Sequence, residues 1–142
     1  MLRVIVAGNR DFSDYNLMRE QLDMILKDVM PSVTIVSGRA RGADKLGERY
    51  ADERGLQKAL FPADWNNLEA EGAVIKQNAY GKYNAKAGSE RNARMAEYAG
   101  AEGQGVLVAF WNGNKGGTYD MIQTSKNLGF QVRIINWSRK ND

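Results

Sequence analysis

The first apolar block, Leu2 to Ala7 (LRVIVA), is a short β-branched run stopped by Gly8, the pattern of a strand buried on both faces. From Asp14 to Met30, Leu17, Leu22, Ile25, Leu26 and Val29 recur at helical spacing. Ser13 or Asp14 stands where a cap is needed, so this stretch predicts an amphipathic helix, which Pro31 ends. Val33 to Val36 is a second β-branched strand and runs into SGRARGAD; Ala43 to Arg54 reads as a helix closed by Gly55. Lys58 to Phe61 is a third strand that meets Pro62. Ala63 to Ala87 has no clean period and is predicted to be a long loop, a kind of segment that is usually functional or mobile. Gly88 to Ala99 is a helix, Gly105 to Phe110 a fourth strand, Thr118 to Leu128 a helix ended by Gly129, and Gln131 to Asn136 a fifth strand. Ser138 to Asp142 completes the chain as a solvated tail.

Five strands alternating with four helices predict an α/β fold with a mostly parallel sheet, because parallel neighbours require crossovers of about this length. Ligands of such sheets sit off the carboxyl ends of the strands, where the strand order reverses. With an order 3-2-1-4-5 the reversal falls between the first and fourth strands. The loops Gly8 to Ser13 and Trp111 to Thr118 then face each other across a crevice.

Composition narrows the chemistry. At 142 residues, with 43% hydrophobic and 26% charged residues, the chain fits one soluble domain, expected over residues 1–142. There is no cysteine and no histidine. Thiolate nucleophiles, iron–sulfur clusters, Cys- or His-ligated metals and a Ser-His-Asp triad are therefore excluded, and no metal is expected. The short apolar opening is below the length of a signal peptide core or a membrane span, so a cytoplasmic protein with no membrane partner is the expectation.

A net charge of +3 is too small to argue nucleic-acid binding, but the cations are placed unevenly. Arg10, Arg39, Arg41, Lys45, Lys82, Lys86, Arg91, Arg94 and Lys115 fall in or beside the strand-end loops, against Asp11, Asp44, Asp64 and Glu90. Those loops read GNRD, SGRARGAD and WNGNKGGT, and AGSERN opens the third crossover helix. Glycine allows close backbone approach, and a helix start behind it offers free N–H groups and partial positive charge, so phosphate is the natural guest. Neither the P-loop nor the Gly-x-Gly-x-x-Gly dinucleotide pattern is present, and on pattern alone the same glycines also serve as plain turn residues.

The ordered set GNRDF, SGRARGAD, PADW, AGSERNARM and FWNGNKGGTYDMI resembles the YspA/YpsA-like branch of the SLOG superfamily over nearly the whole chain. The resemblance implies a Rossmann-like three-layer fold and a nucleotide or nucleotide-derived phosphorylated ligand, with no further cofactor required. It further implies a site made of Gly8, Asn9, Arg10, Ser37, Gly38, Ala40, Gly42, Ala43, Asp44, Arg91, Asn92, Gly113, Gly116, Gly117 and Thr118. Relatives include cytokinin-activating phosphoribohydrolases and the DNA-processing protein DprA. Where the hydrolases carry a catalytic Glu, three residues after the Gly-Thr turn, this chain has Met121, with Asp120 one position short. Binding in a sensor, carrier or sequestering role is thus the leading expectation. The alternatives are hydrolysis of nucleoside monophosphates using Arg91 with Glu90 or Asp120, and a DprA-like hold on single-stranded nucleic acid. By analogy with related domains, the candidate partner is a second copy of the chain, in a homodimer or a higher homo-oligomer. Residues 66–78 read as an insertion relative to the compact family pattern.

Several candidates carry a second, structural reading. Asp44 suits a ribose hydroxyl or a helix cap, Ser37 a ligand contact or a turn, and Thr118 a phosphate contact or a cap, the last two uses being compatible. Met95 is expected beneath the site, Trp111 in packing rather than base stacking, and Trp65 and Trp137 as structural residues. Tyr80 and Tyr83 with Lys82 and Lys86 form a basic, aromatic stretch suited either to single-stranded nucleic acid or to a solvated loop.

Overall fold

A computed structural model describes residues 1–138. Strands β1 (Leu2–Gly8), β2 (Val33–Ser37), β3 (Gln57–Leu60), β6 (Val106–Trp111) and β7 (Gln131–Asn136) form a five-stranded sheet, and β4 (Ile75–Asn78) pairs with β5 (Gly81–Asn84) in a separate two-stranded sheet. The main sheet has the order β3-β2-β1-β6-β7, with every pairing parallel. Helices α1 (Tyr15–Leu26), α2 (Ala43–Arg54), α3 (Ala87–Gly100) and α4 (Gly117–Asn127) supply the crossovers. The order matches the 3-2-1-4-5 expectation and puts the reversal between β1 and β6.

Side-chain alternation along the central strands builds two cores. Val4, Val6, Val33, Ile35, Val106 and Val108 point to one face and pack with Met18 and Leu22 of α1 and Tyr50 and Ala51 of α2. Ile5, Ala7, Val36, Leu107 and Ala109 point to the other and pack with Met95, Ala96 and Ala99 of α3 and Met121 and Ile122 of α4. Because both faces are covered, these strands lack polar alternation, and the fold is α/β, Rossmann-like and three-layered.

Two expectations are corrected. The first helix stops at Leu26 rather than Met30: Asp14 caps its start by accepting from the Leu17 N–H at 3.1 Å, and Val29 and Met30 both donate to the Leu26 carbonyl in a closing turn. Val29 is exposed, so the apolar period overran the helix; the residue before a proline also avoids the helical region. The stretch 63–87 is not a featureless loop, since it contains the β4–β5 hairpin. All four residues of β4 are exposed, so no apolar alternation marks it. Smaller shifts place the third strand at Gln57–Leu60 and the fourth at Val106–Trp111. Of the tail expected at 138–142, residues 139–142 lie outside the described residues. Among the described residues no helix is long and apolar enough to cross a membrane.

Candidate functional site

The loops after β1 and β6 meet at Asn9. Its Oδ1 accepts the Asn112 N–H at 2.8 Å, and its N–H donates to the Phe110 carbonyl at 3.1 Å. Its own carbonyl accepts from Phe12 at 3.1 Å and from Ala43, the first residue of α2, at 3.3 Å. Gly42 precedes α2 at φ 81°, and a Cβ there would stand 2.4 Å from the Asn9 carbonyl oxygen. This turn requires glycine on both counts.

A cavity of about 580 Å³ opens at this carboxyl edge. Its walls include Gly8, Asn9 and Arg10 from the β1 loop, Ala40 and Asp44 from the start of α2, and Arg91 and Asn92 from α3. Lys115, Gly116, Gly117, Thr118 and Asp120 close the opposite side, with Met95 and Met121 at its base. Gly117, Thr118 and Tyr119 precede the first bond of α4, Asp120 N–H to the Gly116 carbonyl at 3.0 Å, and no side chain caps them. Their N–H groups are the unpartnered donors that every helix start leaves, and Gly117 and Thr118 stand at the cavity wall beside a lysine.

Arg91 is nearly buried, at 8% exposure, and donates from Nη1 to the Gly38 carbonyl and from Nε to Asn92 Oδ1 at 3.0 Å. Asp44, 6% exposed, accepts the Ala40 N–H at 3.2 Å through Oδ2. Burial pushes the Asp44 carboxyl up to about 6, against the opposing pull of the Arg91 charge and the Ala40 N–H. Burial likewise lowers the Arg91 guanidinium from its usual range, with Asp44 acting the other way. Asn92 spends its amide nitrogen on the Gly117 carbonyl at 3.2 Å and Asp120 Oδ2 at 2.9 Å, so it fixes the start of α4 from α3.

The motif residues divide by position. Gly8, Asn9, Arg10, Ala40, Asp44, Arg91, Asn92, Gly116, Gly117 and Thr118 line the cavity. Ser37, Gly38, Gly42, Ala43 and Gly113 do not. Ser37 is fully buried and donates to Glu48 Oε2 at 2.7 Å while accepting the Arg39 N–H at 3.1 Å, the work of a turn. Gly38 backs Arg91, and Gly42 and Ala43 hold the β1 loop. Of the carboxylates named for acid–base work, Asp120 lines the cavity, whereas Glu90 is exposed outside it. Met121 and Met95 are almost wholly buried in the core below. Trp111 donates from Nε1 to the Asn114 carbonyl at 2.8 Å and is not in the wall, as packing predicts. Trp137 packs on Phe12 with ring centroids 5.2 Å apart.

Trp65 packs as a structural residue and also reaches the cavity. It lines the cavity, and its ring fills the space over Gly88, where a Cβ would be 2.9 Å away. The signal available in the sequence was its position directly after the third strand in PADW, at the same sheet edge as the glycine loops. Among the described residues no group of three or more acidic or metal-ligating side chains is placed to hold a metal ion.

A sequence model of the family described as "YspA, cpYpsA-related SLOG family" matches residues 2–67. The match is a similarity to that family over this first segment. It covers GNRDF, SGRARGAD and PADW; AGSERNARM and FWNGNKGGTYDMI lie beyond it yet meet the first three motifs around one cavity. The chain is also 29% identical over 145 residues to the Gene 61 protein of Mycobacterium phage D29, an alignment that spans 99% of each chain.

Proposed function

We propose that the protein binds a nucleotide or nucleotide-derived phosphorylated small molecule in the cavity between β1 and β6, and holds it without cleaving it. The observation that carries this reading is the uncapped start of α4, with the N–H groups of Gly117 and Thr118 set beside Lys115 in a cavity that Arg10 and Arg91 also line. Helix-start donors and guanidinium groups suit a phosphate. Asp44, at the other side, offers a carboxylate oxygen to a ribose hydroxyl, and the two methionines give a sugar or base an apolar floor.

The hydrolytic alternative has less to work with. The position of the phosphoribohydrolases' catalytic Glu is a buried Met121, Glu90 faces solvent, and Asp120 already accepts from Asn92. Native mass spectrometry of freshly purified protein tests the binding reading. A co-purifying mass is expected, and Arg10→Ala/Lys115→Ala, two exposed positions, should lose it. Retention by that variant, with no response to added nucleoside 5′-monophosphates, rejects the site. Free base and ribose 5-phosphate released from those monophosphates above a buffer blank would establish the hydrolase instead.

A further inference from the structure

The cavity does not end at Arg10 and Trp65. These two residues and Ala85 also wall a second cavity of about 560 Å³ that runs along the β4–β5 hairpin. The Arg10 guanidinium lies 5.8 Å from the centre of the Trp65 ring, so a cation and an indole form the threshold between the two spaces. Beyond it stand Lys76, Lys82, Tyr80 and Tyr83, and among the described residues no carboxylate lines this side. Trp65 meets Tyr83 edge-on at 6.2 Å, and the Asn84 N–H donates to its carbonyl at 2.7 Å, which fixes the hairpin to the threshold. Tyr80, 99% exposed at the hairpin turn, has no packing role to explain it.

From this juxtaposition we infer that the hairpin cavity is a second nucleobase subsite, and that the ligand is a dinucleoside whose bridging phosphates lie at Arg10. The inference rests on the nucleotide reading of the first cavity. Each space falls within the roughly 300–1,000 Å³ usual for a small-ligand pocket, so each can hold a nucleoside of its own. Tyrosine faces take any base, and Lys76 and Lys82 favour an anionic linker. Met95 and Met121 floor the first cavity and give one base an apolar bed there.

Isothermal titration of the full chain with the four ribonucleoside 5′-monophosphates and with symmetrical dinucleoside oligophosphates of two to four phosphates tests this. The best dinucleoside should bind at least ten-fold tighter than its mononucleotide. Tyr80→Ala/Lys82→Ala, both exposed, should erase that advantage and leave mononucleotide affinity unchanged. Equal affinity of the two ligand classes overturns the second subsite while leaving the first intact, and binding of neither overturns both. Affinity that keeps rising with the length of a single-stranded oligonucleotide, and falls steeply with salt, overturns the dinucleoside in favour of a nucleic-acid strand.

Discussion

Arg91 and Asp44 bring a guanidinium and a carboxylate to the place where a side chain on Gly38 would begin: a Cβ there would lie 2.7 Å from Arg91 Nη1 and 2.9 Å from Asp44 Oδ2. Gly38→Ala therefore forces two buried charged groups apart. We expect a loss of about 1–3 kcal/mol in chemical denaturation, the usual range for overpacking a filled site. Nucleotide binding should weaken with it, since Arg91 loses its hold on the Gly38 carbonyl.

Asp44 sets a pH dependence. Its carboxyl sits at about 6 in the folded protein against an ordinary 3.8, so the folded state binds the proton more tightly than the unfolded chain does. Its contribution to stability is fully present below about pH 4 and is lost as pH rises through about 6. Asp44→Asn should flatten the stability profile across that window and raise stability at pH 7 by up to about 3 kcal/mol, from roughly 1.4 kcal/mol per pH unit. Denaturant midpoints measured from pH 4 to 7 decide it; an unchanged slope rules Asp44 out as its source.

Asn92 links three groups, and its replacement separates geometry from charge. Asn92→Ala strands the buried Arg91 Nε and removes a partner from half-buried Asp120, with an expected cost of about 1–3 kcal/mol for the unpaired buried donor. Asn92→Asp instead sets a second carboxylate against Asp120. Its deficit relative to the native chain should be larger at pH 8 than at pH 4, because protonating the introduced carboxyl relieves the repulsion. Thermal melts at the two pH values check the sign.

Two glycines of the same cavity wall answer to different constraints. At Gly8 a Cβ would sit 2.4 Å from the Phe110 carbonyl oxygen and 2.7 Å from the Ala43 Cβ, so Gly8→Ala should destabilise by about 1–3 kcal/mol or fail to fold. At Gly117 nothing lies within 4 Å. Gly117→Ala should keep or slightly raise stability, by up to about 1 kcal/mol from helix propensity, yet weaken phosphate binding. Melting temperature and nucleotide titration on the same pair of variants read the contrast.

The parallel sheet was legible because a strand covered on both faces has to be apolar at successive positions, as in Val33–Val36 and Gly105–Phe110. Gly55 and Gly129 marked helix ends through the left-handed conformation that both adopt, at φ 67° and 77°. The hairpin was not legible. Ile75 to Asn78 buries nothing, and its turn is set by Asn78 Oδ1 accepting the Tyr80 N–H at 2.8 Å and by Gly81 at φ 122°, signals weaker than periodicity. In the site, motif order located the cavity but could not separate wall from support. Ser37 and Asn9 are both small polar residues at strand ends, and only packing shows that Ser37 faces Glu48 while Asn9 faces the opening.

The β4–β5 hairpin pairs with neither edge of the five-stranded sheet, and its one strongly buried residue is Asn84, whose side chain serves local backbone N–H groups of Val74 and Lys86. Its tip can consequently be exchanged for another sequence without disturbing either apolar layer. Descendants of this chain are free to alter the company they keep at that rim while inheriting the same scaffold underneath.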